Sequence, residues 1–208
     1  MSFPIEEYQK LRNDPYYFAT KCVWTQDPTD KINPIKRFPK DKDYLKLYCK
    51  IWQQYKRIAV PKSRRMIMSW MNVILYTHDT VFFKGRHNAF ISKKEEDSDA
   101  LVCRSEFILD NIKEEDLPRE LIPEYKKTYC NLEFPDIYSK IQGFPSGSDQ
   151  LRMHGFSGIL ADEMAFWDNA QLMYAATFPT IENGGRFTAI SSAAPGFFQR
   201  LVFDGLDE

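Results

Sequence analysis

Apolar residues recur along the chain with two periods, and the changes of period sketch its elements. From Asp41 to Tyr55, the residues Tyr44, Tyr48, Ile51, Trp52 and Tyr55 fall at helical spacing, which predicts an amphipathic helix. The short run Arg57-Ile58-Ala59-Val60 predicts a strand that stops at Pro61, and beyond a polar turn Ser69 to Tyr76 reads as a buried helix. His87 to Ser92 predicts a second strand. Glu95 to Asn111 predicts a second helix, with Ala100, Leu101, Ile108 and Ile112 toward the core. Strand, helix, strand, helix in succession implies a parallel sheet, because each helix must cross back over the sheet to return the chain.

Further on, Tyr129 to Phe134 and Ile137 to Ile141 flank Pro135-Asp136 and predict a hairpin or paired edge strands, followed by the turn cluster Pro145 to Asp149. Gly158 to Ala161 is a continuous apolar run ending in Asp162-Glu163, and Arg186 to Ser192 is another strand, ending in small hydroxyls. Residues 1–40 are rich in aromatics and carry Pro4, Pro15, Pro28, Pro34 and Pro39, which predicts an irregular arm. No internal repeat or low-complexity linker interrupts the chain. The expectation is one three-layer α/β domain with a mainly parallel central sheet flanked by helices, its polar strand ends gathered along the sheet edge where such folds bind ligands.

Composition narrows the class. The 208 residues are 43% hydrophobic and 15% aromatic, with 9 Gly and 12 Pro, which suits a folded globule rather than a disordered or collagen-like chain. A mean hydropathy of -0.48 and a charged N-terminal stretch argue against a membrane span or a secretory signal, so a soluble intracellular protein is expected. Cys22, Cys49, Cys103 and Cys130 never form a close pair and read as buried free thiols. His78, His87 and His154 lack ligand spacing. The net charge of -1 conceals a lopsided map. Residues 31–65 hold twelve Lys or Arg against Asp41 and Asp43, whereas 95–124 hold eleven acids against Arg104, Lys113 and Arg119. A basic run is a solvated helix face or a surface for phosphates or nucleic acid, and nearby motifs must decide.

Two segments carry candidate chemistry. Between the first core strand and its helix lies Pro61-Lys62-Ser63-Arg64-Arg65-Met66-Ile67-Met68-Ser69-Trp70. A phosphate loop needs backbone N–H groups around an anion, a cation on the outer phosphates and a hydroxyl at the helix start for Mg2+. Against G-x-x-x-x-G-K-[ST] only Ser69 matches, since Lys62, Ile67 and Met68 replace Gly, Gly and Lys; yet the cations Lys62, Arg64 and Arg65 remain within the loop. The second segment is Ile159-Leu160-Ala161-Asp162-Glu163, an apolar strand delivering two carboxylates at its end. An Asp there can serve the magnesium shell, and the adjacent Glu can polarise a water that attacks the γ-phosphate.

Taken in order, Val60 to Trp70, Leu151-Arg152, Ile159 to Trp167 and Ile190-Ser191-Ser192-Ala193 resemble the ATPase domain of the large terminase subunit of tailed bacteriophages, from about Asp14 onward. The resemblance implies a P-loop NTPase of the ASCE type that uses ATP and Mg2+. It implies a phosphate loop over Lys62, Ser63, Arg64, Arg65, Met66, Ile67, Met68 and Ser69. Arg65 stands where the family commonly has Gln and Ile67 where it commonly has Gly. The phosphate-contacting cation is then Arg64, with Arg65 as the alternative. Asp162 and Ser69 would serve Mg2+, Glu163 would be the catalytic carboxylate, Ser191 and Ser192 would couple γ-phosphate loss to motion, and Arg152 would reach the nucleotide of a neighbouring subunit.

For the base, the family often uses a glutamine just upstream of the first core strand. Phe38-Pro39-Lys40-Asp41 holds that place here without one, so Phe38 either stacks on adenine or packs in the core. Phe166 and Trp167 read as core residues.

The resemblance further implies a motor that threads double-stranded viral DNA into the procapsid. Its partners would be the portal protein, the small terminase subunit and further copies of itself in a ring, in the host cell cytoplasm and without a membrane. On this reading the chain is a single ATPase domain over 1–208, with an N-terminal arm and adenine-side helix (1–56) and a P-loop core (57–208). It would lack the family's nuclease domain. Two alternatives stay open: a helicase-like DNA-stimulated ATPase, and a non-enzymatic DNA- or protein-binding module using the basic stretch.

Overall fold

A computed structural model of the chain describes residues 3–64, 66–147, 151, 154–181 and 184–204. The N-terminal forty residues, expected to be irregular, instead form two helices, α1 (Ile5–Asn13) and α2 (Pro15–Cys22), and a hairpin of β1 (Trp24–Gln26) and β2 (Ile35–Arg37). Two of the five prolines, Pro4 and Pro15, mark helix starts rather than breaks. Pro4 precedes the first turn of α1, and Pro15 opens α2 behind the Asp14 carboxylate, which accepts a hydrogen bond from the Tyr17 N–H at 2.9 Å. A proline in the first turn removes only an N–H that has no helical partner.

The helix α3 (Asp43–Gln54) follows, then β3 (Arg57–Pro61), α4 (Met68–Phe82), β4 (His87–Ser92) and α5 (Glu95–Asp110). The expected helix faces were partly misassigned. On α3 the buried residues are Leu45, Tyr48, Cys49 and Trp52, while Tyr44, Ile51 and Tyr55 are exposed. On α5, Ala100 is exposed, and Ser98, Leu101, Val102, Ser105, Ile108 and Leu109 face inward. The helix expected over Ser69 to Tyr76 continues to Phe82, nearly all of it buried.

The chain continues through β5 (Lys126–Thr128), β6 (Asn131–Phe134), β7 (Ser139–Pro145), β8 (Gly158–Asp162), α6 (Ala170–Ile181), β9 (Arg186–Ser191) and α7 (Phe197–Phe203). Seven strands form one sheet in the order β3-β9-β8-β4-β7-β6-β5. The first five run parallel, and β6 and β5 add on antiparallel. The segment expected as a hairpin strand is therefore also a member of the main sheet, because β7 pairs with β4 on its other side.

Strand residues alternate between two cores. Phe90, Leu160 and Ile190 face the core built with α3, α4 and α5, while Ala89, Ile91, Ile159, Ala161 and Ala189 face the one built with α6 and α7. That alternation is the period of two of a strand covered on both faces. Four groups lock the first layer. The Tyr76 hydroxyl donates to the Ile159 carbonyl (2.8 Å) and lies 3.0 Å from Thr188 Oγ1, to which Trp52 Nε1 also donates at 3.2 Å. Gly158 permits this approach, since a Cβ there would lie 2.5 Å from Tyr76 Cε1.

Cys22 and Cys49 are buried free thiols as expected, whereas Cys103 is exposed and Cys130 partly so. Phe38 is fully buried in the α3–α5 core, which assigns it to packing. Trp167 is also core, but Phe166 is 44% exposed. Among the described residues, no helix is long and apolar enough to cross a membrane.

Candidate functional site

Parallel pairing brings the C-terminal ends of β3, β9 and β8 side by side, with Pro61 beside Ser191 and Asp162 beside Ile190. The chain therefore sets the loop after β3, the hydroxyls after β9 and the carboxylates after β8 along one sheet edge. The Lys62 N–H donates to the Ser191 carbonyl at 2.8 Å, which anchors the start of the loop to β9.

Glu163 lies at the centre. Its backbone takes the left-handed conformation (φ +50°), which turns the chain sharply out of β8 into a short turn of 3-10 helix over Met164–Phe166. Lys62 Nζ donates to Oε1 at 2.5 Å, and the Ser192 N–H and Ser191 Oγ donate to Oε2 at 3.0 and 3.3 Å. Burial pushes this carboxyl up, but the Lys62 bond, the Ser192 amide and the Ser191 hydroxyl outweigh it, and its pKa falls below the usual glutamate value. It is a carboxylate at neutral pH. Ser191 Oγ also accepts from the Ala165 N–H at 3.1 Å, so one hydroxyl braces the turn that carries Glu163.

Asp162 is buried, and burial raises its pKa against the opposing charge of Lys62 and the bond from Ser69 Oγ at 3.0 Å. Trp167 Nε1 donates to its carbonyl at 3.0 Å and fixes the strand end. A buried carboxylate whose proton affinity is raised is short of cationic partners, and with the Ser69 hydroxyl it offers hard oxygen donors. That donor set suits Mg2+, which takes one or two protein oxygens plus substrate phosphates and waters. Among the described residues, no cluster of three or more His, Cys, Asp or Glu forms an all-protein cage.

The loop closes onto α4 through Ile67, which has φ +57°. A β-branched residue in that region is strained, at a cost of about 1–2 kcal/mol, and glycine would carry none of it. The first amides of the 15-residue α4 follow directly, with the positive end of the helix dipole behind them. A cavity of about 400 Å³ opens here, lined from the loop by Lys62, Ser63, Met66, Ile67, Met68 and Ser69, from α4 by Trp70 and from α5 by Arg104. The β1–β2 hairpin closes it with Thr25, Gln26, Asp27, Thr29 and Lys36.

Of the residues singled out from the sequence, Lys62, Glu163, Ser191 and Ser192 converge in one hydrogen-bonded cluster, and Ser69 and Asp162 form a second contact beside it. Ser63, Met66, Ile67 and Met68 line the adjoining cavity. Arg64 is exposed and does not line it. Arg65 and Arg152 lie outside the described residues. Several lining residues were not read from the sequence as site residues: Gln26 and its neighbours come from the hairpin, and Arg104 comes from an otherwise acidic helix. Only Arg104's position as the sole cation of α5 could have singled it out.

The strand order, with the phosphate-loop strand beside β9 and the carboxylate strand next to it, defines a three-layer P-loop fold of the ASCE type. Solved structures agree. The chain is similar to the large terminase ATPase domain of Thermus phage P74-26 at a TM-score of 0.57 and 15% identity, over 70% of this chain and 63% of that one. A point mutant of the same domain gives 0.57 and 16%, over 70% and 64%. The large terminase of HK97 bacteriophage gives 0.65 and 8%, over 87% of this chain and 37% of that one. The chain thus spans less than two thirds of each of these proteins, and at these identities the likeness is one of fold. No protein-family model matches the sequence.

Proposed function

We propose that the chain is an ATP-hydrolysing domain of the terminase large-subunit type, whose turnover powers movement of double-stranded viral DNA into a procapsid. The observation that carries this reading is the single cluster joining Lys62, Glu163, Ser191 and Ser192, next to a second contact between Ser69 and Asp162. Those groups sit where a nucleotide's outer phosphates would meet the start of α4. The fold shared with phage terminase domains supports the same reading.

In this mechanism the ionised Glu163 orients the attacking water and accepts its proton as the bond to the γ-phosphate forms and ADP leaves. Lys62 exchanges its ion pair with Glu163 for the incoming phosphates, freeing the carboxylate when substrate arrives. Ser69 and Asp162 would hold Mg2+, which when bound neutralises and orients the phosphate oxygens. Ser191 and Ser192, bonded directly to Glu163, would report its change of partner to β9. Arg64 and Arg65 remain candidate loop cations, Arg152 a candidate trans-acting arginine, and Gln26 a candidate contact for the base. Single-domain organisation with an adenine-side segment over 1–56, assembly into a ring on the portal with the small subunit, and a site of action in the host cytoplasm belong to the same proposal.

The basic stretch gives the non-enzymatic alternative less than its charge suggests. Lys36 pairs with Asp27 and Asp30, Arg37 with Asp116 and Lys62 with Glu163, so part of the surplus is spent within the fold. The test is Glu163→Gln. Magnesium-dependent ATP turnover should fall by about 10²–10⁴-fold with ATP binding and the melting temperature retained. Turnover equal to that of the wild type would sink the assignment.

A further inference from the structure

The cavity at the loop holds a cation that the loop does not supply. On α5 the acids Glu95, Glu96, Asp97, Asp99, Glu106 and Asp110 surround a single Arg104. A helix ion pair needs an acid three or four residues away, but those positions around Arg104 are Ala100, Leu101, Phe107 and Ile108. Among the described residues, Arg104 forms no salt bridge to any carboxylate.

Its guanidinium lies over the Trp70 ring, 5.4 Å from the centroid, and Trp70 is itself held edge-on by Phe107 at 5.9 Å. Both Arg104 and Trp70 line the cavity with Lys62 and Ser69. Burial lowers the pKa of Arg104, and the one charge that opposes this is Asp162. A partly buried cation aimed into a cavity without a paired acid is a desolvation cost that a bound anion would relieve. Across the cavity, Met68 stands where a phosphate loop of the common form carries its lysine.

We propose that Arg104 is a phosphate-contacting residue of this site, delivered in cis from α5 and pre-oriented by Trp70, which supplies charge the loop lacks at Met68. The inference rests on the ATPase reading and adds a cation that the loop sequence does not contain. Arginine suits the role because its planar guanidinium can stack on an indole while presenting a fork of donors to phosphate oxygens.

The experiment uses the 208-residue chain with Mg2+, and measures displacement of a fluorescent ATP analogue by ATP and by inorganic tripolyphosphate. Wild type, Arg104→Met, Arg104→Lys and Glu163→Gln are compared, each with its melting temperature. Arg104→Met should weaken both competitors by about thirtyfold, the loss expected for a charge-assisted contact. Its nucleotide-free melting temperature should stay level or rise, because an unpaired buried charge has been replaced by an apolar chain of similar length. Arg104→Lys should recover part of the lost affinity.

Unchanged affinities in Arg104→Met would overturn the inference while leaving the ATPase reading intact, provided Glu163→Gln binds ATP without turning it over. A loss confined to ATP, with tripolyphosphate unaffected, would place Arg104 at the base and overturn it as well. If Arg104→Met does not fold, Arg104→Lys decides. Tripolyphosphate affinity reduced about fivefold or more in the folded protein supports the inference, because lysine can neither stack on Trp70 as arginine does nor present its fork of donors, and affinity equal to wild type overturns it. A wild-type chain that binds neither competitor removes both the inference and the reading beneath it.

Discussion

Asp162 ends a strand with neighbours on both sides, and Glu163 follows it, since β8 pairs with β9 and β4, whereas the loop from Lys62 to Ile67 hangs from β3, which among the described residues has only β9 beside it. The carboxylate half is braced by Ser191, Ser192, Lys62 and Trp167. The loop half is tied to the carboxylate half at Lys62 and Ser69, and between them it holds a strained Ile67, an exposed Arg64 and, among the described residues, the bond from Tyr44 to the Met66 carbonyl at 3.1 Å. On the proposed reading, the difference teaches that the catalytic carboxylate is pre-organised on the braced side, while the side that would bind substrate is left freer to adapt. Perturbing the scaffold should therefore cost folding, and perturbing the loop should cost ligand with little change in folding.

The largest break comes from acid. His78, buried on α4 with its Nε2 donating to the Leu11 carbonyl at 2.9 Å, has its pKa pushed down to about 4 by burial. Because the folded pKa is depressed below the unfolded value of about 6.5, the stability it carries is present above about pH 6.5 and is lost as pH falls toward 4. The loss should approach 3 kcal/mol, an order-of-magnitude figure at about 1.4 kcal/mol per unit. Thermal melts across that window should show the decline, and His78→Gln should remove part of it, the rest belonging to His87, which burial also pushes down to about 4.

Next is Gly158→Ala, which sets a Cβ 2.5 Å from Tyr76 Cε1 and 2.7 Å from Asn88 Oδ1. Overpacking of this kind costs about 1–3 kcal/mol, read by denaturant unfolding. Ser191→Ala should cost about 1–2 kcal/mol, because the partly buried Ala165 N–H loses its acceptor, the hydroxyl of the fully buried Ser191. It should also raise the pKa of Glu163, which would appear as a shift in the acid limb of the turnover profile.

The smallest effect on stability belongs to Ile67→Gly. Relief of positive-φ strain, about 1–2 kcal/mol, is offset by about 0.5–1 kcal/mol of added chain entropy, so unfolding should move little and upward. Nucleotide affinity should rise if the loop amides can approach phosphate more closely. A destabilisation as large as that of Gly158→Ala would erase the contrast between the two halves.

Much of the carboxylate half was legible along the chain. A continuous apolar run that ends in Asp162-Glu163 reads, beside an upstream strand, loop and helix, as a buried strand with its charges at the edge, and a parallel order of elements sends all such edges the same way. The loop's place between Pro61 and Ser69 was equally plain. What escaped were features that depend on a neighbour distant in sequence. The N-terminal prolines concealed helices because their starting role depends on a cap such as Asp14, and the exposed face of α3 was misjudged because aromatic residues alone do not say which stripe is covered. Gln26 and Arg104 reach the cavity from segments well before and well after the loop in sequence, with no local pattern to announce them.

By itself, the sequence determined the core strands β3, β4, β8 and β9, the helices α3 to α5 and which strand ends carry charge, because periodicity and turn chemistry act over a few residues. Only the tertiary structure decided that Lys62 would meet Glu163 across 101 positions, that Ser191 would brace the turn after β8, and that Arg104 would face the loop. Those partnerships follow from strand order and register, which are set by how two cores pack on opposite faces of one sheet, and no short stretch of sequence contains that information.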